Sequence, residues 1–274
     1  MDNIQQCEVA PRPFRFTLKH LLFIVVGVGL ICGLCVPLIQ SAREAARRAS
    51  CQGLRLGIIE MALVYYHDKY GCFPPAYIAD KQGKPMHSWR VLILPFLGYD
   101  DLYKKYDFSE PWNGPKNSLL AKEMPPYYRC PSVTNSNLQV TNYVAVVGPG
   151  TVWPGRDSVS WKGITDGSSY TIMLVAVADS DINWMEPRDM SFDQAILGVN
   201  VDRKSGISSN HPGGAGYAMA DGSHRFRYNG TSTETLRAML TIAGGETIEE
   251  DHAGNLVARP AATTTPSVPR SGEL

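Results

Sequence analysis

Charge of one sign is what this chain lacks first: 26 Lys and Arg offset 26 Asp and Glu, giving a formal net charge of zero and a pI near 7.0. That balance removes the electrostatic footprint of a nucleic-acid binder, and no Lys/Arg cluster is interleaved with aromatics as a base-stacking surface requires. The 25 glycines form neither a phosphate-cradling loop nor a dinucleotide fingerprint. Ser168, in Asp166-Gly167-Ser168, has no Gly-x-Ser-x-Gly elbow and no identifiable base, so the segment reads as a turn and not as a nucleophile. Internal repeats are missing too. Cysteine is sparse: Cys7 precedes the long apolar run, Cys32 and Cys35 lie inside it, and only Cys51, Cys72 and Cys130 follow. With no His or further Cys to complete a site, Cys32-x-x-Cys35 reads as two small packing residues. Beyond the run, Cys72 with Cys130 or Cys51 with Cys130 can pair in an oxidising compartment, and free buried thiols are the alternative.

What the chain does have is a stretch of 16 uncharged residues, Leu21 to Val36 (LLFIVVGVGLICGLCV), behind the basic residues Arg12, Arg15 and Lys19. Extended through Pro37 to Ile39, it comes close to the roughly 30 Å of a bilayer's hydrocarbon at about 1.5 Å per residue. A buried core helix rarely stays apolar on every face for four turns. A cleaved signal peptide needs a small-x-small site, which Gln40, Ser41, Ala42 and Arg43 do not supply. The expectation is a cytoplasmic arm over 1–15, a membrane span over 16–39 and an amphipathic stalk helix over 40–70. In that helix Ile39, Ala42, Ala46, Ala49, Gly53, Leu56, Ile59, Leu63 and Tyr66 recur at steps of three and four. Its small residues permit close approach of another helix, including the same helix of a second subunit. Pro37 is expected to kink it near the membrane exit.

Gly71 and Pro74-Pro75 end the helical pattern and open an α+β head over 71–250. Short helices are expected at Trp89 to Phe96, Asp100 to Tyr106 and Lys116 to Glu123. Strands are expected at Asn142 to Val147, Thr171 to Ala178, Gly216 to Ala220 and His224 to Tyr228, with Asp221-Gly222 as a hairpin turn. An antiparallel sheet follows. Ser232 to Ile242 reads as a capped helix, and residues 251–274, poor in large apolar side chains, read as a disordered tail.

Candidate chemistry is thin. His211 and Asp221 offer too few ligands for zinc, and they fit a loop and a turn. Asp179, Asp181 and Glu186 form an acidic cluster that calcium could occupy, but the spacing matches no EF-hand and favours a solvated loop. His67-Asp68 reads as a capping and packing element of the head. Trp89, Phe96, Tyr99, Tyr103, Tyr106 and Trp112 serve either a core or a groove for sugar or peptide. No cofactor is expected.

Six ordered motifs carry a resemblance: Tyr66-His67-Asp68 with Tyr70-Gly71, Phe73-Pro74-Pro75-Ala76, His87-Ser88-Trp89-Arg90-Val91, Tyr128-Arg129-Cys130-Pro131-Ser132, Ile164-Thr165-Asp166-Gly167-Ser168-Ser169, and His211 followed by nine residues and then Asp221-Gly222. With Phe16-Thr17-Leu18 ahead of the apolar run, the chain resembles the pilin-like domain-of-unknown-function family expanded in planctomycetes. The resemblance implies a long N-terminal helix packed on an antiparallel head, with the N-terminus cytoplasmic and the head extracytoplasmic, periplasmic in a two-membrane envelope. Pro37 stands where the kinking proline of pilins does. Arg15 occupies the position of the glycine that prepilin peptidase cleaves, and His20 that of the glutamate used in filament joining. A leader so altered is expected to stay uncleaved. The expected function is a non-enzymatic, single-pass envelope protein acting through other envelope or pilin-like proteins, with no nucleic-acid partner. The alternative is an extracytoplasmic solute- or carbohydrate-binding module on the same anchor.

Overall fold

The computed structural model describes residues 17–133, 136–251 and 256–260. The arm over 1–15, with Arg12 and Arg15, and the chain beyond 260 lie outside the described residues. The chain divides into two units, Met1–Ala46 and Arg47–Leu274.

The first unit is helical. Helix α1 (Leu18–Ala49) passes through Pro37 without a break, and none of its residues is buried: Phe23 is 76% exposed and Leu34 70%. Among the described residues this is the one helix long and apolar enough to cross a membrane. Thr17 Oγ1 and His20 Nδ1 lie 2.6 Å apart at its start.

In the second unit the helical run changes pitch. Ser50–Leu56 forms a π-helical segment, and helix α2 (Gly57–Tyr70) resumes the normal pitch. The sequence pattern predicts an unbroken α-helix here; widening the turn re-aims the side chains that follow, a device common at functional sites. Leu56, Ile59 and Leu63 are buried, as expected of the apolar stripe, and Cys51 and Glu60 are buried with them. Gly71 closes α2 in the left-handed region at φ 77°, its N–H donating to the His67 carbonyl.

Strands β1 (Tyr77–Ala79) and β2 (Pro85–Ser88) form a small hairpin. Three short helices follow, α3 (Trp89–Leu92), α4 (Asp100–Lys105) and α5 (Asn117–Leu120), with 3-10 turns at Leu94–Leu97, Ala121–Glu123 and Pro126–Tyr128. Ser88 caps α3, and α4 carries Asp100 and Asp101 in its first turn and Lys104 and Lys105 in its last, matching the helix dipole at both ends.

The main sheet contains β3 (Tyr143–Val147), β4 (Ile172–Ala176), β5 (Met190–Ser191), β6 (Gly214–Met219) and β7 (His224–Tyr228), with helix α6 (Phe192–Ala195) after β5. Its spatial order is β5-β3-β4-β6-β7, antiparallel throughout except for the parallel β3–β5 pair. Four of these strands fall where hydrophobic runs predict them. The two-residue β5 is too short to leave a pattern.

Both faces of the sheet are covered. Tyr143, Ala145, Leu174 and Ala218 share one core with Leu56, Ile59, Leu63, Trp89, Trp153 and Trp184. Val144, Val146, Val175, Tyr217 and Met219 share the other with Leu236, Met239 and Leu240 of α7 (Thr233–Leu240). Each such large apolar side chain contributes about 1.5–3 kcal/mol when removed from water. Ser232 caps α7, its Oγ accepting the Thr235 N–H. The tail differs from expectation: Leu256–Arg259 forms β9 against β8 (Thr247–Glu250), and Leu256 buries itself in the second core. One apolar residue with an open strand edge beside it outweighs a low overall hydrophobicity.

Candidate functional site

The helical segment meets the sheet along β6, and the His211–Asp221-Gly222 signature brackets that strand. His211 lies before β6 and Asp221-Gly222 makes the turn after it, Gly222 at φ 92° and Asp221 Oδ1 accepting the Ser223 N–H at 2.9 Å. Six strand residues at about 3.3 Å each hold the two ends some 20 Å apart. They form no dyad. Each end instead addresses the helix.

At the His211 end the helix is bolted to the sheet. Cys51, in the π-helical segment, is disulfide-bonded to Cys130, with 5.5 Å between their Cα atoms. The pairing of Cys72 with Cys130 is not formed: Cys72 lies beyond the end of α2, where its Sγ contacts the Tyr70 carbonyl, whereas Cys51 points into the core. Tyr143 on β3 donates its hydroxyl to the Cys51 carbonyl at 3.1 Å. Asn142 Oδ1 accepts the Cys130 N–H at 3.1 Å, while its Nδ2 donates to Val177 and Ala178 carbonyls. His211, 4% exposed, brings Nε2 to 3.8 Å from Cys130 Sγ. Its backbone N–H donates to Ser209 Oγ, which donates in turn to the Gly214 carbonyl at 2.6 Å. A cavity of about 20 Å³ opens beside the three side chains. Pro131, next in the motif, is exposed.

At the other end Glu60 is 1% exposed, and among the described residues neither carboxyl oxygen makes a well-aligned hydrogen bond, although the Gly222 N–H acts on the carboxyl. Burial and, after it, the negative charge of Asp221 push its pKa up to about 9, with the Gly222 N–H opposing them. Glu60 is therefore a neutral acid at pH 7.

The Trp89-Arg90 motif builds a third feature. Arg90 is fully buried and pairs with Asp189 at 2.5 Å. Asp189 also accepts the Ala145 N–H at 2.8 Å and the Trp89 Nε1–H at 3.2 Å, and the guanidinium donates to Ser88 Oγ and to the Tyr143 carbonyl. The parallel pairing of β5 with β3 sets Asp189 opposite the strand it bonds. Burial pushes the Asp189 carboxyl up, while Arg90 and the two N–H donors pull it down.

The remaining sequence candidates are structural. Asp166 accepts the Gly244 and Gly245 N–H groups at 2.6 and 3.0 Å, closing the chain after α7, and Gly167 turns at φ 96°. Asp179 pairs with Arg203, and Asp181 and Glu186 pair with Arg188, so the acidic cluster is neutralised by cations and is not arranged as a calcium cage. Trp89 and Tyr106 are buried, and Phe96, Tyr99, Tyr103 and Trp112 are partly buried against the same core. His67 Nε2 accepts the Trp161 backbone N–H at 3.3 Å, and its ring packs with those of Phe73 and Trp161 in a three-ring cluster. Sequence reasoning missed Asp189, Asn142 and Glu60. A buried arginine does signal that a carboxylate must meet it, but not which one.

The fold and its junction define a class: an α+β domain fixed by a disulfide to the continuation of an apolar N-terminal helix. Residues 40–159, from the helix through the first strand of the main sheet, match the model of a family described as a protein of unknown function, DUF1559. No curated protein and no solved structure matches the chain.

Proposed function

We propose that the chain is a single-pass, pseudopilin-like envelope protein with a non-enzymatic role, N-terminus in the cytoplasm and head outside, periplasmic where two membranes exist. The Cys51–Cys130 disulfide carries this reading. Such bonds persist in oxidising compartments, and this one begins 12 residues beyond the last apolar position, Ile39, so an oxidising environment starts just after the span. A wholly exposed apolar helix ahead of it needs lipid as its solvent. The six motifs and the family match together support the pilin-like branch expanded in planctomycetes. Arg15 and His20 support an uncleaved leader and a fixed anchor in place of a filament subunit. The small residues of the helix offer a surface to other envelope or pilin-like proteins, or to a second copy. Neither a cofactor nor nucleic acid enters this role.

Membranes from cells making the full chain test it. The protein should stay with the carbonate-washed pellet, retain residues 1–15, and lose its head to protease added outside the inner membrane. Release by carbonate, or a head protected from that protease, would sink the anchor; a mature terminus at Phe16 would restore the filament subunit.

A further inference from the structure

We propose that Cys51, Cys130 and His211 form a redox-gated site for one thiophilic cation, Zn(II) or Cu(I), closed while the disulfide stands and opened when it is reduced. Cys51 Sγ, Cys130 Sγ and a ring nitrogen of His211 lie within 4.8 Å of one another, all three residues buried. A metal held tetrahedrally by thiolate at about 2.3 Å and imidazole at about 2.0–2.1 Å spans a sulfur-to-nitrogen edge of about 3.5–3.6 Å, within a few tenths of an ångström of the separation found here. His211 Nε2 already stands 3.8 Å from Cys130 Sγ. Opening the disulfide frees the Cys51 sulfur to move out to a similar separation by side-chain rotation.

The adjoining cavity, about 20 Å³, holds roughly one water-sized body, enough for a single water as a fourth ligand. Two thiolates and an imidazole select soft cations over calcium or magnesium. Backbone hydrogen bonds hold the three ligand residues in place: Ser209 Oγ accepts the His211 N–H, Asn142 Oδ1 accepts the Cys130 N–H, and the Tyr143 hydroxyl donates to the Cys51 carbonyl.

The chemistry balances with a dithiol as reductant. Its thiolate attacks one sulfur of the bridge, the other sulfur leaves, and the second thiol of the reductant closes its own disulfide, so that two electrons and two protons reach Cys51 and Cys130. Cation binding then releases those two protons to solvent.

The test uses the full chain in detergent micelles, reduced with dithiothreitol, freed of it by anaerobic gel filtration, and titrated with Co(II) as a spectroscopic stand-in for Zn(II). One equivalent should raise an intense thiolate-to-cobalt charge-transfer band that Zn(II) abolishes. The oxidised chain should show none. Cys130→Ser should lose the band, and His211→Ala should weaken Zn(II) affinity at least tenfold in competition with a chromophoric chelator. Circular dichroism keeps the test decisive: a reduced chain that loses structure and regains it with Zn(II) supports the site. Absence of the band, an unchanged affinity in His211→Ala, or lost structure that Zn(II) and Cu(I) both fail to restore overturns it.

Discussion

The guanidinium of Arg90 and the carboxylate of Asp189 meet at 2.5 Å, and their side chains are 0% and 2% exposed. Ninety-nine residues apart in sequence, they tie the β2–α3 corner to β3, beside the β5 edge of the sheet. Removing one partner strands the other charge in the core, which costs about 3–5 kcal/mol, whereas replacing both with apolar residues of similar volume is often neutral. Asp189→Asn should therefore lower the urea midpoint strongly, and Arg90→Met with Asp189→Leu should recover most of the loss. If the double variant is as unstable as the single one, hydrogen bonding to Ala145 and Trp89 matters more than charge.

Closing a loop of 79 residues, the Cys51–Cys130 bridge is expected to stabilise the head by about 4.5 kcal/mol in the chain-entropy description. Cys51→Ser, or dithiothreitol without metal, should shift thermal unfolding downward by a comparable amount. Cys72→Ser should leave it unmoved, since Cys72 is free. Equal losses from Cys51→Ser and Cys72→Ser would contradict the pairing.

Glu60 gives stability a sign opposite to that of an ordinary paired carboxylate. Its folded pKa, raised to about 9, exceeds the usual 4.5, so between those values the folded state holds a proton that the unfolded chain releases. Stability should then fall by up to about 1.4 kcal/mol per pH unit as pH climbs through that window. Glu60→Gln should flatten the slope and leave the variant more stable than wild type at pH 8, with little difference near pH 4.5. Asp221→Asn, removing the facing negative charge, should move the end of the decline to lower pH. Superimposable pH profiles for Glu60→Gln and wild type would place the carboxyl in water.

Two helix glycines let β7 approach closely. A Cβ built at Gly53 would stand 3.4 Å from His224 Nε2, and one at Gly57 3.9 Å from Nδ1. Alanine fits at either position and should gain up to about 1 kcal/mol of helix propensity. Leucine at Gly53 has no such room and should cost about 1–3 kcal/mol through overpacking. Guanidinium titrations of the two variants should separate in opposite directions from wild type.

Local order was legible because it is written in local chemistry. Leu21 to Val36 shows its apolar character without reference to any other residue, Gly71 stops α2 where a left-handed residue is required, and the apolar runs at β3 and β4 mark strands. The site was legible in part. Trp89, Arg90, Cys130, His211 and Asp221 stood out as motif residues, yet nothing near them in sequence disclosed their roles. His211 read as a loop residue and Asp221-Gly222 as a turn, which is where they stand at the two ends of β6, but nothing in the sequence disclosed that each end faces the helix. β9 escaped because pairing with β8 depends on a sheet edge being present, not on its own composition.

By itself the amino-acid sequence determined the apolar helix, the stripe that continues it, the Asp221-Gly222 turn and four strands of the main sheet, since backbone propensity and side-chain periodicity act over a few residues. Tertiary structure alone decided that Cys51 meets Cys130, that Asp189 answers Arg90, and that Glu60 is buried as a neutral acid. Those outcomes depend on a strand order, β5-β3-β4-β6-β7, that brings together residues many tens of positions apart. Burial and charge pairing are properties of the space so formed, not of the chain that enters it.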